Sequence, residues 1–347
     1  MKFSKLLLVA FLGSTVFVSC SDDDDKVDNT PLGAYDNGVL VVNEGNGTAG
    51  SITYIGNDMT TIQQDVYSVV NEGDGIGGYV QSMFFDGDKA FIISNASNKI
   101  TVVNRYTFEL IDKIDSGLNI PRYGVVENGK AYVTNQAAFD STTDDFVAVI
   151  NLSTYEVEST IALNAIGERI LEENGKLYVT NGTYGEGNSV TVINPASNAI
   201  ISTINTGISP TSFEEENGIL YVLCGNYDDA SKLVRVQLSN NEILSEVTFP
   251  AALGNAQNLS IEDGKLYFTV NSDVFSAALN ATTISETPLF TSGATTLYGF
   301  TVEDDKIYVS DAKDYASNGR VFIYSTTGAL QKEFPVGLIP NGFYFND

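Results

Sequence analysis

Short stretches in which apolar and polar residues alternate recur along the chain, among them Lys130-Ala-Tyr-Val, Lys176-Leu-Tyr-Val, Ser189-Val-Thr-Val-Ile193 and Lys306-Ile-Tyr-Val. Period-two alternation over so few residues specifies half-buried β-strands. A tight-turn pair precedes seven such runs: Asn37-Gly38, Asp86-Gly87, Asn128-Gly129, Asn174-Gly175, Asn217-Gly218, Asp263-Gly264 and Asp304-Asp305. The second residues of these pairs follow one another at intervals of 49, 42, 46, 43, 46 and 41, the period of a four-stranded propeller blade. One such copy is too small to bury its own apolar face, so the repeat calls for a stacked ring.

The copy around Asn174-Gly175 shows the strands best. Glu168 to Asn174 reads as the first, Lys176 to Thr180 as the second, Ser189 to Ile193 as the third and Ala199 to Asn205 as the fourth. The pattern therefore predicts an all-β chain, a seven-bladed β-propeller with four antiparallel strands per blade over residues 36–347. The first copy lacks the strand that precedes every other turn, while Asn341-Gly-Phe-Tyr-Phe-Asn346 supplies a strand with no turn after it. The C-terminal strand should complete the first blade and close the ring. Up-and-down connectivity then gathers the long loops Asn135 to Asp145, Asn181 to Asn188, Gly225 to Ser231 and Asp311 to Gly319 on one face, the usual place for binding residues.

Composition agrees with this reading. The chain has 347 residues, 43% of them hydrophobic, with 31 glycines, 18 tyrosines and 19 phenylalanines, enough for one large core without a second domain. The formal charge of −26 makes nucleic acid an improbable partner, because phosphate binding relies on clustered Lys and Arg. Residues 1–19 combine Lys2 and Lys5 with an apolar stretch from Leu6 to Val18, the form of a signal peptide. Phe17-Val-Ser-Cys20 resembles a lipobox, with Cys20 the lipidated residue. Ser21-Asp-Asp-Asp-Asp25 resembles the acidic export signal of Bacteroidetes lipoproteins, so residues 20–35 read as an acidic tether on the outer face of the outer membrane. Contact with the membrane would be through the N-terminal lipid alone. Cys224 is then a lone thiol on an apolar strand, expected buried and unreactive.

Aligning the copies on their turns brings Gln81, Arg122 and Tyr123, Arg169, Ser212, Gln257 and Asn258, Tyr298 and Asn341 to the mouth of the central channel. The loops add Phe139, Tyr184, Tyr227 and Tyr315, together with Asp140, Asp144, Asp145, Asp228, Asp229, Asp311 and Asp314. Tyrosines couple apolar area to a hydrogen-bonding tip and suit capture of a large, partly polar molecule. The expected ligand site is Gln81, Arg122, Tyr123, Arg169, Tyr184, Tyr227, Asn258, Tyr298, Tyr315 and Asn341. Asn43, Asn95, Asn135, Asn181, Asn271 and Asp311 recur at the end of the second strand, where a bond to the local backbone accounts for them.

Histidine is absent, which removes His-containing triads, a histidine general base and imidazole metal ligands. No pair of acids is singled out by spacing as a hydrolytic pair. Calcium could be held by Asp140 to Asp145 or Asp228-Asp229, yet no ordered calcium-loop motif is present. The sequence names no catalytic residue, no metal site and no cofactor. Asp140-Ser-Thr142 resembles a Bacteroidetes O-glycan acceptor, which would modify Ser141.

Asn128-Gly-Lys-Ala-Tyr-Val-Thr-Asn135, Val147-Ala-Val-Ile-Asn-Leu152 and Val190-Thr-Val-Ile-Asn194 followed by Ile204-Asn-Thr-Gly207 resemble the YncE-like and surface-layer family of seven-bladed propellers. Val42-Asn-Glu-Gly45, Pro121-Arg-Tyr123, Asp311-Ala-Lys-Asp-Tyr315 and Gly337-Leu-Ile-Pro-Asn-Gly-Phe343 are similar to the branch found among Bacteroidetes surface lipoproteins, which includes the BtuG-type cobalamin-capturing proteins. The resemblance implies a surface lipoprotein that binds cobalamin or a related corrinoid and passes it to a TonB-dependent outer-membrane transporter. The alternatives are a non-catalytic protein or glycan interaction platform and a carboxylate-based hydrolase or lyase.

Overall fold

A computed structural model describes residues 30–346. The expected signal peptide, Cys20 and the acidic run Ser21-Asp-Asp-Asp-Asp25 lie outside the described residues. Seven four-stranded antiparallel sheets form among the described residues. Blade 1 consists of Pro340–Asn346, Gly38–Asn43, Ser51–Gly56 and Ile62–Gln63. Blades 2 to 7 follow in chain order, each opening on one of Val80–Asp86, Pro121–Glu127, Ile170–Glu173, Pro210–Glu216, Gln257–Glu262 and Leu297–Glu303. These opening strands and Pro340–Asn346 pack against one another from blade to blade, which makes them the inner strands around the axis.

The turns set this register. Asn128, Asn174, Asn217, Asp263 and Asp304 lie at φ between 47° and 54°, and the residue after each is also left-handed. Two consecutive positive-φ residues make the type I′ turn whose twist matches paired strands, hence the Asn-Gly and Asp-Gly pairs. Blade 2 departs by one residue from expectation. Asp86 pairs with Lys89, so its turn is Gly87-Asp88 rather than Asp86-Gly87.

Blade 4 corrects two further expectations. Its first strand begins at Ile170, two residues beyond the expected start at Glu168. The stretch Asn181 to Asn188, expected as an irregular loop, is mostly strand. Lys176–Thr183 and Glu186–Asn194 meet around Tyr184-Gly185, at φ of 51° and 85°, the same turn geometry that joins the inner strands. In blade 1 the outermost strand is two residues long, and the short helix Val66–Val70 follows it, burying Val66 and Tyr67.

Among the described residues seven apolar clusters hold the ring together, and each spans two adjacent blades. Phe84, Phe91 and Ile93 of blade 2 pack with Ala131, Val133 and Ile150 of blade 3. Val39, Val41 and Ile55 of blade 1 pack with Tyr308, Val321 and Phe334 of blade 7. Each fully buried side chain of this size contributes about 1.5–3 kcal/mol. The stabilisation therefore lies between blades, as the repeat requires.

The C-terminal strand closes the ring through the pairs Gly38 with Asn346, Leu40 with Tyr344 and Val42 with Gly342. Asn346 is fully buried. Its side-chain amide donates to the carbonyls of Tyr35 (2.6 Å) and Arg105 (2.8 Å), and its Oδ1 accepts from Arg105 Nε. Arg105 also donates to the Phe345 carbonyl (2.8 Å) and stacks on Phe85, 3.9 Å from the ring centroid. One residue of the closing strand thus ties blade 1 to blade 2.

Candidate functional site

Most of the inner strands are irregular near their beginnings, and the irregularities build the site. In blades 1, 2, 3, 5, 6 and 7 an extra residue breaks the register with the second strand. The bulged segments contain Asn341, Gln81, Arg122 and Tyr123, Thr211, Asn258 and Tyr298. A bulge re-aims side chains away from the regular alternation, and here every one of these residues lines a single cavity of about 580 Å³. Second-strand hydroxyls satisfy several of the displaced backbone groups. Thr134 Oγ1 accepts from Tyr123 N (3.1 Å) and donates to the Glu168 carbonyl (2.6 Å), Thr180 Oγ1 accepts from Arg169 N (2.9 Å), and Ser310 Oγ accepts from Gly299 N (2.7 Å).

Arg122 organises the polar wall. Its Nε and one terminal nitrogen donate to both carboxylate oxygens of Glu168 (2.9 and 2.6 Å), and the other terminal nitrogen donates to Gln81 Oε1 (2.6 Å). Gln81 in turn donates to the Tyr123 hydroxyl (3.1 Å) and accepts from Asn95 (3.0 Å). Both members of the pair are buried, and the two-bond geometry is the strong form of an arginine–carboxylate contact.

Tyrosines line the remaining wall. Tyr298 hydrogen-bonds Glu44 and meets Tyr315 edge to face at 5.7 Å. Burial, followed by the nearby Glu44 charge and that bond, raises the Tyr298 hydroxyl above the ordinary phenol range, and burial likewise raises the Glu44 carboxyl. Tyr184 and Tyr227 stand at the rim, 75% and 84% exposed. Tyr184 and Tyr315 both hold positive φ, at 51° and 58°, a conformation costing a non-glycine residue about 1–3 kcal/mol.

All ten residues expected at the site line this one cavity, as does Gln257. Ser212 does not, because it is buried between blades and accepts from Leu259 N (2.9 Å). Phe139 is exposed and outside the lining, and the loop acids lie outside the lining too. Asp145 turns inward, accepts from Gly167 N (2.7 Å) and is pushed up to about 6, chiefly by burial. Asp311 is fully buried and accepts from Thr296 N and Lys313 N, both at 2.9 Å. Asp314 bonds its own loop. Among the described residues no three acidic or thiol side chains converge on a metal-sized position. Burial pushes the Cys224 thiol up to about 12, so it stays protonated.

A family model described as "Domain of unknown function (DUF5074)" matches residues 37–345. The chain belongs to the DUF5074 family. No functionally curated protein shows significant sequence similarity to it. This DUF5074 propeller is similar in structure to a quinonprotein alcohol dehydrogenase-like protein from Bacteroides thetaiotaomicron, with TM-score 0.68 and 14% identity over 90% of this chain and 79% of that one. It is similar to the periplasmic gluconolactonase PpgL of Pseudomonas aeruginosa, with TM-score 0.65 and 12% identity over 89% and 99% of the two chains. The dihydro-heme d1 dehydrogenase NirN in complex with DHE is a third, with TM-score 0.56 and 12% identity over 92% and 78%. At such identities the likeness establishes the propeller fold and supports no catalytic claim.

Two lining residues that matter in the DUF5074 site, Glu168 and Glu44, were not among those expected. A strict count would have found the first. Six residues before the first turn residue of blades 2 to 7 stand Gln81, Arg122, Glu168, Thr211, Gln257 and Tyr298, and all six line the cavity. Glu44 carries no such signal, because it lies just beyond the second strand of blade 1.

Proposed function

We propose that this DUF5074 propeller is a binding protein that captures a large, partly polar small molecule in the cavity at the channel mouth. The observation that carries the reading is the convergence of Tyr123, Tyr184, Tyr227, Tyr298 and Tyr315 with Arg122 and Arg169 on that one cavity. Its volume of about 580 Å³ falls within the roughly 300–1,000 Å³ range of small-molecule sites. A ligand larger than the cavity would bury one face there and leave the rest between the exposed rings of Tyr184 and Tyr227. Cobalamin or a related corrinoid is the leading candidate, on the resemblance to BtuG-type proteins. Delivery would then pass to a TonB-dependent transporter, with the propeller held at the outer face of the outer membrane through Cys20.

Binding without chemistry fits the cavity's carboxylates, both of which are engaged. Glu168 is held by Arg122 and Glu44 by Tyr298, so neither is poised as a free acid or base. The test is to mix the chain lacking its leader and Cys20 with cobalamin, pass it through a desalting column and read the visible absorbance of the protein fraction. Stoichiometric colour, lost in Tyr184→Ala and Tyr227→Ala, supports the reading. A colourless fraction removes the corrinoid and favours an interaction platform, for which the exposed Phe139, Tyr184 and Tyr227 would be the contact residues.

A further inference from the structure

We propose that Arg169 is an anion subsite of this cavity, so that the captured molecule carries a carboxylate or phosphate group that docks on the Arg169 guanidinium while the tyrosines hold its less polar body. The inference deepens the capture reading and rests on it. It begins from an inequality between the two arginines of the lining. Arg122 spends Nε and both terminal nitrogens on Glu168 and Gln81. Arg169, one residue from Glu168, makes no side-chain hydrogen bond and no ion pair among the described residues, and its guanidinium carbon stands 4.8 Å from the Tyr123 ring centroid. Stacking occupies the face of a guanidinium and leaves its five N–H donors, which lie in the plane, open to a partner.

The surroundings supply a further donor and weak competition. The Tyr123 hydroxyl already accepts from Gln81, so its own proton is available to an acceptor. Tyr344 on the inner strand of blade 1 also acts on Arg169, from outside the cavity lining. Two carboxylates reach Arg169 through space, Glu168 and Glu214. Glu168 is committed to Arg122, and Glu214 on the inner strand of blade 5 is opposed by Glu303 of blade 7 and raised by burial to about 7. Neither comes within ion-pair distance of Arg169.

Net charge makes this cation selective. A chain of formal charge −26 repels anions at long range, so an anion is held only where a local donor set outweighs that repulsion. Arg122 and Arg169 are the cationic residues of the lining, and Arg122 is already neutralised.

Two fluorescent probes separate this subsite from capture itself: anilinonaphthalene sulfonate, whose sulfonate stands in for the oxyanion, and its uncharged parent phenylnaphthylamine. The wild-type propeller should bind both, and inorganic phosphate should displace the sulfonate and leave the parent in place. Arg169→Gln should weaken the sulfonate about tenfold or more, the effect of losing a charge-assisted bond, and weaken it more than it does the parent, with an unchanged thermal unfolding midpoint as the check on folding. Arg169→Lys should restore part of the loss. Equal sulfonate binding by wild type and Arg169→Gln, or a phosphate-insensitive wild type, overturns the subsite and leaves capture standing. Failure of both probes to bind wild type overturns capture, and the subsite with it.

Discussion

Arg122 and Glu168 form a buried two-bond pair between blade 3 and the start of blade 4, with nitrogen–oxygen distances of 2.9 and 2.6 Å. Removing one member of such a pair leaves a buried charge without its counter-ion, which costs about 3–5 kcal/mol. Glu168→Ala should therefore lower the urea midpoint strongly, because Gln81 alone remains to Arg122. A midpoint shift below about 1 kcal/mol equivalent would mean that the pair behaves as a surface contact.

The ring closure makes its own prediction. Deleting residues 341–347 removes the inner strand of blade 1 and should abolish soluble expression, since the apolar faces of blades 1, 2 and 7 lose cover together. Asn346→Ala is the milder probe. It strips the Tyr35 and Arg105 carbonyls of their donor and should cost about 1–3 kcal/mol in denaturant unfolding.

Thr134→Val keeps shape and removes a hydroxyl that serves Tyr123 N and the Glu168 carbonyl at once. Leaving those groups unpaired should cost about 1–3 kcal/mol, and ligand affinity should fall with it because the bulge aims Arg122 and Tyr123. Calorimetric titration beside thermal unfolding checks both effects.

How far the sequence reveals these features depends on the range over which each is determined. The blade count is legible because Asn-Gly and Asp-Gly answer a local demand for two left-handed residues. Asp86-Gly87-Asp88 departs from that rule, since Gly87 alone of the three is left-handed and pairing of Asp86 with Lys89 sets the register. The lining of the cavity is legible because the bulge sits a fixed count before the turn. Glu44 is not, since its partner Tyr298 comes from another blade. Phe139 shows the converse, as a long loop on the expected face carries no information about which way its ring points.

Glu214 gives the pH dependence its sign. Burial, eased by Arg169 and reinforced by Glu303, raises its carboxyl from 4.5 to about 7. A raised folded-state value means that ionisation opposes folding. Its cost is absent at acid pH, grows between about 4.5 and about 7 and is complete above. Glu214→Gln should stabilise the protein relative to wild type at pH above that window, with the gain shrinking as pH falls through it. A gain independent of pH would show that the Glu214 charge is not the cause.

The claim that the channel-mouth cavity is the binding site is tested most directly by filling it. Thr295, an exposed residue of its lining, can be changed to Trp with little burden on the core. Calorimetric titration with cobalamin should give one site per wild-type chain and no measurable binding to Thr295→Trp of unchanged thermal stability. Binding of equal strength to both proteins would place the ligand elsewhere and contradict the account.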